Sequence, residues 1–363
     1  MPTRQTRSTS IKTAASKNAA MNRARNARKD EFYTQLSDIE KETRHYRDHF
    51  RDKTVLCNCD DPYASQFFVH FFRKFSAYGL KKLVSVCYKN CEPDLFSQNT
   101  SDHSIMLEYT GGADESRDPT KEEIAKWVRP LKGDGDFRSE ECVEILKAAD
   151  IVVTNPPFSL FREFIALLVK YEKKFLVIGN VNAISYKECF PLIMQGKLFM
   201  GASIHSGDRE FGVPDDYPLY AAGCRQDADG RKFIRVKGVR WWTNMDYPER
   251  HEDLTLFREY NPRDYPKYDN YDAINVDETK DIPCDYDGVM GVPITFLDKW
   301  NPEQFEIVGD NIRNSPLATK IYTVEDYPNY NDLNARSCLW VDGKLQPTYA
   351  RIFIRRKPKG NVR

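Results

Sequence analysis

Short apolar segments alternate with amphipathic helical segments from residue 54 to residue 178 of the 363-residue chain. The segments at 54–59, 151–154 and 175–178 are apolar at nearly every position, whereas a half-buried strand is apolar at every second one. Strands that are apolar throughout are buried on both faces, as parallel strands are. The alternation therefore predicts an α/β fold with a doubly wound, mostly parallel sheet and helices on both faces.

The same periodicities predict the individual elements. We expect helices that begin near Thr34 or Ser37, near Ser139 and near Ser159, because each of these side chains can accept hydrogen bonds from the first backbone N–H groups. Residues 91–127 are polar and irregular, and we interpret them as an insertion. The remaining predicted strands lie at 82–88, 105–109, 128–137, 197–202 and 239–243.

Three of the predicted strands end in unusual polar residues. These residues are Asp60-Asp61-Pro62, Asp134-Gly-Asp136-Phe137 and Asn155-Pro156-Pro157-Phe158. In a doubly wound sheet, ligands bind beyond the carboxyl ends of the strands. The sequence therefore predicts a site along this edge of the sheet.

Asn155-Pro156-Pro157-Phe158 is the most informative of these segments. A residue before proline is held in extended geometry, so Asn155 and Pro156 stay out of the following helix. The side-chain oxygen of Asn155 and the carbonyl of Pro156 can then face one cleft as two acceptors, and a planar amino group fits between them. The Phe158 ring can stack on the attached base. A helix-start turn without function has the same residues, but the preceding strand and the following helix favour the functional interpretation.

Basic residues are concentrated at the start of a chain whose formal net charge is zero. Residues 1–29 contain eight basic side chains and no acidic ones, so the 46 basic and 54 acidic residues of the remainder give it a net charge of −8. We interpret residues 1–29 as a disordered basic tail, with a nucleic-acid-binding arm and an organelle transit peptide as alternatives. Residues 30–245 then form the domain with the predicted site, including a basic hairpin insertion at about 203–239, and residues 246–363 form a second region.

The nine cysteines cannot all pair with one another, which is typical of a chain in a reducing cytosol. Cys57, Cys59 and Cys87 lie in apolar strands, so we expect buried thiols and no metal site. The longest uncharged stretches are too short and too polar to span a bilayer, which argues against a membrane protein.

Six segments resemble those of the EcoRI-type adenine-specific DNA methyltransferases, from about residue 30 to the C-terminus. They are Asp30-Glu-Phe-Tyr-Thr-Gln35, Cys57-Asn-Cys-Asp-Asp-Pro62, Gly133-Asp-Gly-Asp-Phe-Arg138, Ile151-Val-Val-Thr-Asn-Pro-Pro-Phe-Ser-Leu-Phe-Arg162, Tyr268-Asp-Asn-Tyr-Asp-Ala-Ile-Asn275 and Gly288-Val-Met-Gly-Val-Pro-Ile-Thr-Phe296. The sequence departs from most methyltransferases of this class in one respect, because Asp61-Pro-Tyr-Ala-Ser65 replaces a glycine-rich loop after the first strand.

The resemblance implies a Rossmann-like fold of the class I methyltransferases, with S-adenosylmethionine as the methyl donor. The cofactor-binding residues that it implies are Phe32, Tyr33, Thr34, Asp60, Asp61, Pro62, Asp136 and Phe137. The first three would pack on the methionine end of the cofactor, and the acid after the first strand would meet its polar groups. The last two would hold its adenine, Asp136 by accepting from the exocyclic amine and Phe137 by stacking.

The resemblance also implies that the substrate is double-stranded DNA and that the methyl group goes to N6 of a flipped adenine. Asn155, Pro156 and Phe158 would be the catalytic residues, and Trp241 or Trp242 are further candidates for stacking on the base. Residues 246–363 would form the target-recognition region. The candidate DNA contacts are Arg231, Arg235 and Lys237 of the hairpin and the basic residues of 351–357.

Such an enzyme would be cytoplasmic in a bacterium or encoded by a phage. It would serve restriction-modification or DNA protection, with a restriction endonuclease of the same specificity as a partner but without a stable complex. Methyltransferases acting on RNA adenine or on protein glutamine share the Asn-Pro-Pro-aromatic turn and stay open as alternatives. The third alternative is a catalytically silent relative that binds DNA.

Overall fold

The structure is a computed structural model. It describes residues 34–59, 61–87, 104–205, 207–213, 223–312 and 315–358. The predicted basic tail, residues 1–29, lies outside the described residues.

An eight-stranded mixed sheet forms the centre of the described fold. The described strands are β1 (Thr54–Asn58), β2 (Lys82–Cys87), β3 (Ile105–Tyr109), β4 (Val128–Pro130), β5 (Ile151–Thr154), β6 (Lys174–Asn180), β7 (Phe199–Met200), β8 (Asp208–Val213), β9 (Cys224–Gln226), β10 (Lys232–Lys237), β11 (Val239–Thr243), β12 (Ile274–Asn275), β13 (Met290–Pro293), β14 (Phe305–Asp310), β15 (Cys338–Val341), β16 (Lys344–Pro347) and β17 (Arg351–Arg356). The helices are α1 (Leu36–Thr43), α2 (Gln66–Arg73), α3 (Phe75–Tyr78), α4 (Lys121–Trp127), α5 (Glu140–Ala148), α6 (Phe161–Lys170), α7 (Phe190–Met194) and α8 (Tyr330–Asn334).

The strand order of the large sheet is β4-β3-β2-β1-β5-β6-β11-β7. The four central strands β2, β1, β5 and β6 pair in parallel. Only β3 and β11 run against their neighbours, so the other strands of this sheet share one direction. The prediction of an α/β fold with a mostly parallel sheet is therefore confirmed.

The core of the sheet explains why the apolar segments predicted it. Every residue of β1 and of β5 is buried, as expected for strands covered on both faces. Helix α2 follows β1 and buries Phe67, Phe68, Phe71 and Phe72. The same hydrophobic core includes side chains of β12, β13 and β17, so the region after residue 246 packs directly on this domain.

Several predicted boundaries were wrong. The strand expected at 128–137 ends at Pro130, and the supposed insertion 91–127 contains helix α4 in addition to the strand predicted at 105–109, which is present as β3 and pairs with β2. The helix expected to begin near Thr34 or Ser37 spans Leu36–Thr43 without a side-chain cap and continues as a 3₁₀ helix, Arg44–Phe50. Residues 197–202 form only the two-residue strand β7.

Two smaller units lie outside the large sheet. Strands β8, β10 and β9 form an antiparallel sheet within the predicted hairpin insertion, and the turn at Asp229-Gly230 joins β9 to β10, with Gly230 at φ +83°. The C-terminal region contains the sheet β12-β13-β17-β14 and the hairpin β15-β16. No helix among the described residues is long and apolar enough to cross a membrane.

Candidate active site

The carboxyl ends of β1 and β5 lie side by side where the strand order reverses. The chain passes from β1 to β2 on one side and later returns to β5 on the other. Ligands of open α/β sheets bind in the crevice at such a switch point. The two strand ends are joined directly, because the buried Thr154 hydroxyl donates a hydrogen bond to the carbonyl of Asn58.

The Asn155-Pro156-Pro157-Phe158 turn leaves β5 at this point. Asn155 and Phe158 are half-buried, Pro156 is buried, and Ser159 is exposed. A 3₁₀ turn, Phe158–Leu160, then leads into α6. Ser159 does not cap this helix as predicted, because the N-cap position is Leu160 and no side chain caps it. The turn therefore reaches the molecular surface instead of being sealed in the core.

Close packing of α6 on the sheet fixes the position of this turn. A Cβ atom at Gly179, in the neighbouring strand β6, would overlap the ring of Phe161 at the start of α6. Trp241 and Trp242 lie in β11 and are both 0 % exposed. The expectation that one of them stacks on a target base is therefore wrong, because their rings belong to the core of the sheet.

The turn after β1 carries the first of the predicted cofactor residues. Cys59 adopts φ +65°, a strained conformation for a residue other than glycine and one that is concentrated at functional sites. Burial raises the pKa of the Asp61 carboxyl, which accepts a hydrogen bond from the Tyr63 N–H at 2.9 Å. Pro62 is buried beside it, and Asp60 lies outside the described residues.

The loop from β4 to α5 carries the second pair of predicted cofactor residues. The Asp136 carboxylate accepts two hydrogen bonds from the Arg138 guanidinium, at 2.9 and 2.7 Å, and Arg138 also pairs with Glu163 at 2.8 Å. Phe137 is 4 % exposed and packs edge-on against Phe164, with ring centroids 5.1 Å apart. Most of the Phe137 ring therefore belongs to the core, and its contact with a cofactor stays a prediction.

The segment before α1 carries the third group. Phe32 and Tyr33 lie outside the described residues, whereas Thr34 is 5 % exposed. Within the described part of the chain, its buried hydroxyl has no hydrogen-bond partner. The next residue, Gln35, donates a hydrogen bond from Nε2 to the carbonyl of Glu210 in β8, at 2.9 Å. The segment before α1 is therefore hydrogen-bonded to the antiparallel sheet β8-β10-β9, which contains the hairpin.

The candidate DNA contacts have different surroundings. Arg231 pairs with Asp227 and Asp229 in the turn before β10, whereas Arg235 and Lys237 are exposed without an ion pair among the described residues. In the basic segment 351–357, Arg355 and Lys357 are exposed and Arg355 pairs with Glu306 at 2.9 Å, so a contact of this segment with DNA stays a prediction. Arg351 is 9 % exposed and its guanidinium faces Asn275.

The structure shows contacts for two residues of the six resembling segments that have no role implied by the resemblance. Gln35 ends the first of the six segments, and Arg162 ends the fourth. The Arg162 guanidinium lies over the ring of Tyr186, which follows β6, at 5.1 Å from its centroid. Their place in these segments is the only sequence signal that could have drawn attention to them.

Comparison with known proteins decides the family. The model of the family "Adenine-specific methyltransferase EcoRI" matches residues 20–357. The chain belongs to this family. It is therefore an adenine-specific DNA methyltransferase, as the sequence predicts.

Relatives in the family cover most of the chain. The Type II methyltransferase M.EcoRI of Escherichia coli is 50% identical over 293 residues, which are 80% of this chain and 89% of that protein. M.MpnI of Mycoplasma pneumoniae is 40% identical, and M.MgeORF184P of Mycoplasma genitalium is 37% identical, each over 93% of this chain and 98% of its own length. No solved structure matches the chain.

Proposed function

We propose that the chain transfers a methyl group from S-adenosylmethionine to N6 of an adenine flipped out of duplex DNA. The observation that supports this most directly is the position of Asn155, Pro156 and Phe158. They form a proline-stiffened turn that reaches the surface at the switch point of the sheet. The bound cofactor supplies a methyl group attached to a positively charged sulfur.

The residues around the crevice fit this cofactor because they are acceptors. The cofactor presents donors, namely its ammonium group, its ribose hydroxyls and the amine of its adenine. The carboxylates of Asp61 and Asp136 and the buried hydroxyl of Thr34 can accept from them. The remaining members of the proposed cofactor site are Phe32, Tyr33, Asp60, Pro62 and Phe137.

The proposed chemistry depends on the position of two oxygen atoms. The lone pair of an adenine amino group is delocalised into the ring, so the nitrogen is a poor nucleophile. The Asn155 side-chain oxygen and the Pro156 carbonyl would each accept a hydrogen bond from one N–H of the adenine amino group. These hydrogen bonds would favour a tetrahedral nitrogen whose lone pair is directed at the methyl group. Catalysis would then consist of positioning and electrostatic stabilisation, without a covalent enzyme intermediate.

The target adenine has to leave the duplex before it can reach this turn. Extrusion costs a few kcal/mol, and stacking of the base on the Phe158 ring would offset part of that cost. The exposed Arg235 and Lys237, together with Arg231, would contact the DNA from the hairpin. Residues 246–363 would recognise the target sequence.

The biological role follows from the chemistry. Methylation of a specific site protects DNA against an endonuclease of the same specificity, and the relatives named above are Type II methyltransferases. We propose a cytoplasmic enzyme of restriction-modification or of host or phage DNA protection. The endonuclease would act on the same site without a stable complex.

Substitution of Asn155 tests the proposal. We expect Asn155→Ala to lower methyl transfer to duplex DNA at least about 10²-fold, because one of the two acceptors is lost. The affinity for S-adenosylhomocysteine, measured by calorimetry, should change by less than about twofold, since the Asn155 amide is not part of the proposed cofactor site. Asn155→Asp keeps an oxygen acceptor and should retain more activity than Asn155→Ala.

The assay uses cofactor with a labelled methyl group and offers duplex DNA, RNA and protein in parallel. Label in DNA adenine that disappears in Asn155→Ala supports the proposal. Undiminished transfer by Asn155→Ala would contradict the role of the turn. Absence of transfer by the unaltered chain, with intact cofactor binding, would identify a catalytically silent relative.

A further inference from the structure

Two arginines flank the catalytic turn, and their surroundings differ. Arg138, at the end of the loop into α5, has its charge neutralised by Asp136 and Glu163, at 2.7 and 2.8 Å. Arg162, in the first turn of α6, is exposed and forms no ion pair within the described part of the chain. Of these two described arginines, Arg162 is therefore the one that presents an uncompensated positive charge beside the turn.

An aromatic ring holds Arg162 in place. The guanidinium lies 5.1 Å from the ring centroid of Tyr186, which directly follows the 3₁₀ helix Val181–Ser185 at the end of β6. A guanidinium stacked on an aromatic ring keeps its five N–H donors available at its edge and loses little further freedom when it binds an anion. The stacking thus orients the side chain without using its donors.

The topology places this pair at the edge where the substrate enters. Strands β5 and β6 run in parallel, with Thr154 beside Val177, so the segments that follow both strands lie at the same edge of the sheet. Asn155 begins one of these segments and Tyr186 follows the other. Arg162 bridges the two, because it belongs to the helix that the catalytic turn starts.

We propose that Arg162 binds a phosphate diester of the DNA backbone next to the flipped adenine. This inference rests on the proposed function and adds a residue that holds the substrate strand. A nucleotide that rotates into the crevice carries its flanking phosphates to the rim, where a planar fork of donors matches two phosphate oxygens. Arg162 is thus a binding residue for the strand and does not take part in the methyl transfer itself.

Helix α6 provides a matched control at its other end. Lys170 is its last residue and also lies over an aromatic ring, at 5.2 Å from the centroid of Tyr171. The helix runs from the carboxyl edge of β5 to the amino edge of β6, so Lys170 lies far from the catalytic turn. Lys170→Ala therefore removes the same charge and the same kind of stacking from the opposite edge.

The test measures the affinity of the full chain for duplex DNA over a range of salt concentrations. We expect Arg162→Ala to weaken binding about tenfold and to reduce the slope of log K against log salt by about 1, as for the loss of one phosphate contact. The affinity of Arg162→Lys for DNA should lie between those of Arg162→Ala and the unaltered chain, because lysine keeps the charge but loses the planar set of paired N–H donors. Lys170→Ala should change neither quantity beyond about twofold.

Neutral methylphosphonates then locate the contact. Once the target adenine has been mapped by sequencing of modified bases, duplexes are made with one neutral linkage on either side of it. We expect one of these linkages to weaken binding by the unaltered chain and to have no further effect on Arg162→Ala. Equal losses in both proteins at every linkage would overturn the proposal, as would an unchanged salt slope in Arg162→Ala or an equal loss in Lys170→Ala.

A failure of the proposed phosphate contact can be distinguished from a failure of the proposed function. If the unaltered chain methylates duplex DNA and Asn155→Ala does not, while Arg162→Ala binds normally, only the phosphate contact is refuted. Binding of S-adenosylhomocysteine by Arg162→Ala should be unchanged, which distinguishes a lost DNA contact from a disturbed fold.

Discussion

The large sheet and the C-terminal region are held together by different interactions. In the sheet, β1 and β5 are buried at every residue, and the helices cover them with apolar side chains. The described residues before 246 contain one buried asparagine, Asn58, whereas in the C-terminal region four asparagines are almost completely buried. They are Asn270, Asn275, Asn301 and Asn311, each 4 % exposed or less. Buried amide hydrogen bonds therefore contribute more to the C-terminal region than to the sheet, although both regions share one apolar core.

Phe71→Ala should have the largest effect on stability. The ring is 0 % exposed and packs against Phe50 and Tyr78, at 5.2 and 6.4 Å between centroids. Its removal leaves a cavity in the apolar core, and we expect a loss of about 3–5 kcal/mol in the free energy of unfolding. Urea unfolding followed by circular dichroism measures this loss. Phe71→Leu keeps most of the volume and should cost less than about 1.5 kcal/mol.

Asn311→Ala should have a smaller and more local effect. Asn311 donates to Ser337 Oγ and to the Tyr349 carbonyl, at 2.9 and 3.0 Å, and accepts from the Arg351 N–H at 2.7 Å. Because the partners stay buried without it, we expect a loss of about 2–3 kcal/mol. Hydrogen exchange should accelerate in β14 and β17 but not in β1 and β5.

Exposed Asn331 provides the control for this prediction. Asn331→Ala should change the free energy of unfolding by no more than about 0.5 kcal/mol. If Asn311→Ala were as mild as this control, the buried asparagines would not distinguish the two regions.

His251 lies at the junction between the two regions, and its substitution should have the smallest effect on stability. Hydrogen bonds to Asp246, at 2.7 Å, and to Glu303, at 3.0 Å, raise its pKa above 6.5. A raised pKa in the folded state means that the stabilisation is complete below about pH 6.5 and is lost as the pH rises through the folded value. The side chain is 39 % exposed, so we expect less than about 1 kcal/mol after solvent screening.

Stability measured against pH checks this expectation. The unaltered chain should lose stability as the pH rises above about 6.5, and His251→Gln should flatten that part of the curve. An identical curve for both proteins would mean that the junction does not depend on this side chain.

The sequence predicted the sheet because its signals are local. The apolar runs of β1 and β5 and the Ser139 cap are each contained in a few residues, and all three are present in the structure. The Asn155 turn was placed at the correct edge for the same reason, since it directly follows β5. Its catalytic role, like those of the cofactor residues, stays a prediction.

The remaining features depend on partners that are distant in sequence. Gln35 bonds to Glu210, and Asn311 bonds to residues at 337, 349 and 351. No periodicity reveals such pairs. Trp241 and Trp242 were also expected to be free to stack on a base, because the sequence does not reveal whether an aromatic side chain lies in a central or an exposed strand. Both rings are 0 % exposed. The C-terminal region was therefore the part whose internal structure could not be predicted.

The close approach of Phe161 to Gly179 has a consequence for the precision of the enzyme. Helix α6 rests on β6 with only a hydrogen atom in between, and the same helix begins where the catalytic turn ends. Alanine at position 179 would force the ring of Phe161, at the start of this helix, to shift. The position of the two proposed acceptor oxygens therefore depends on the absence of a side chain at Gly179, in the neighbouring strand.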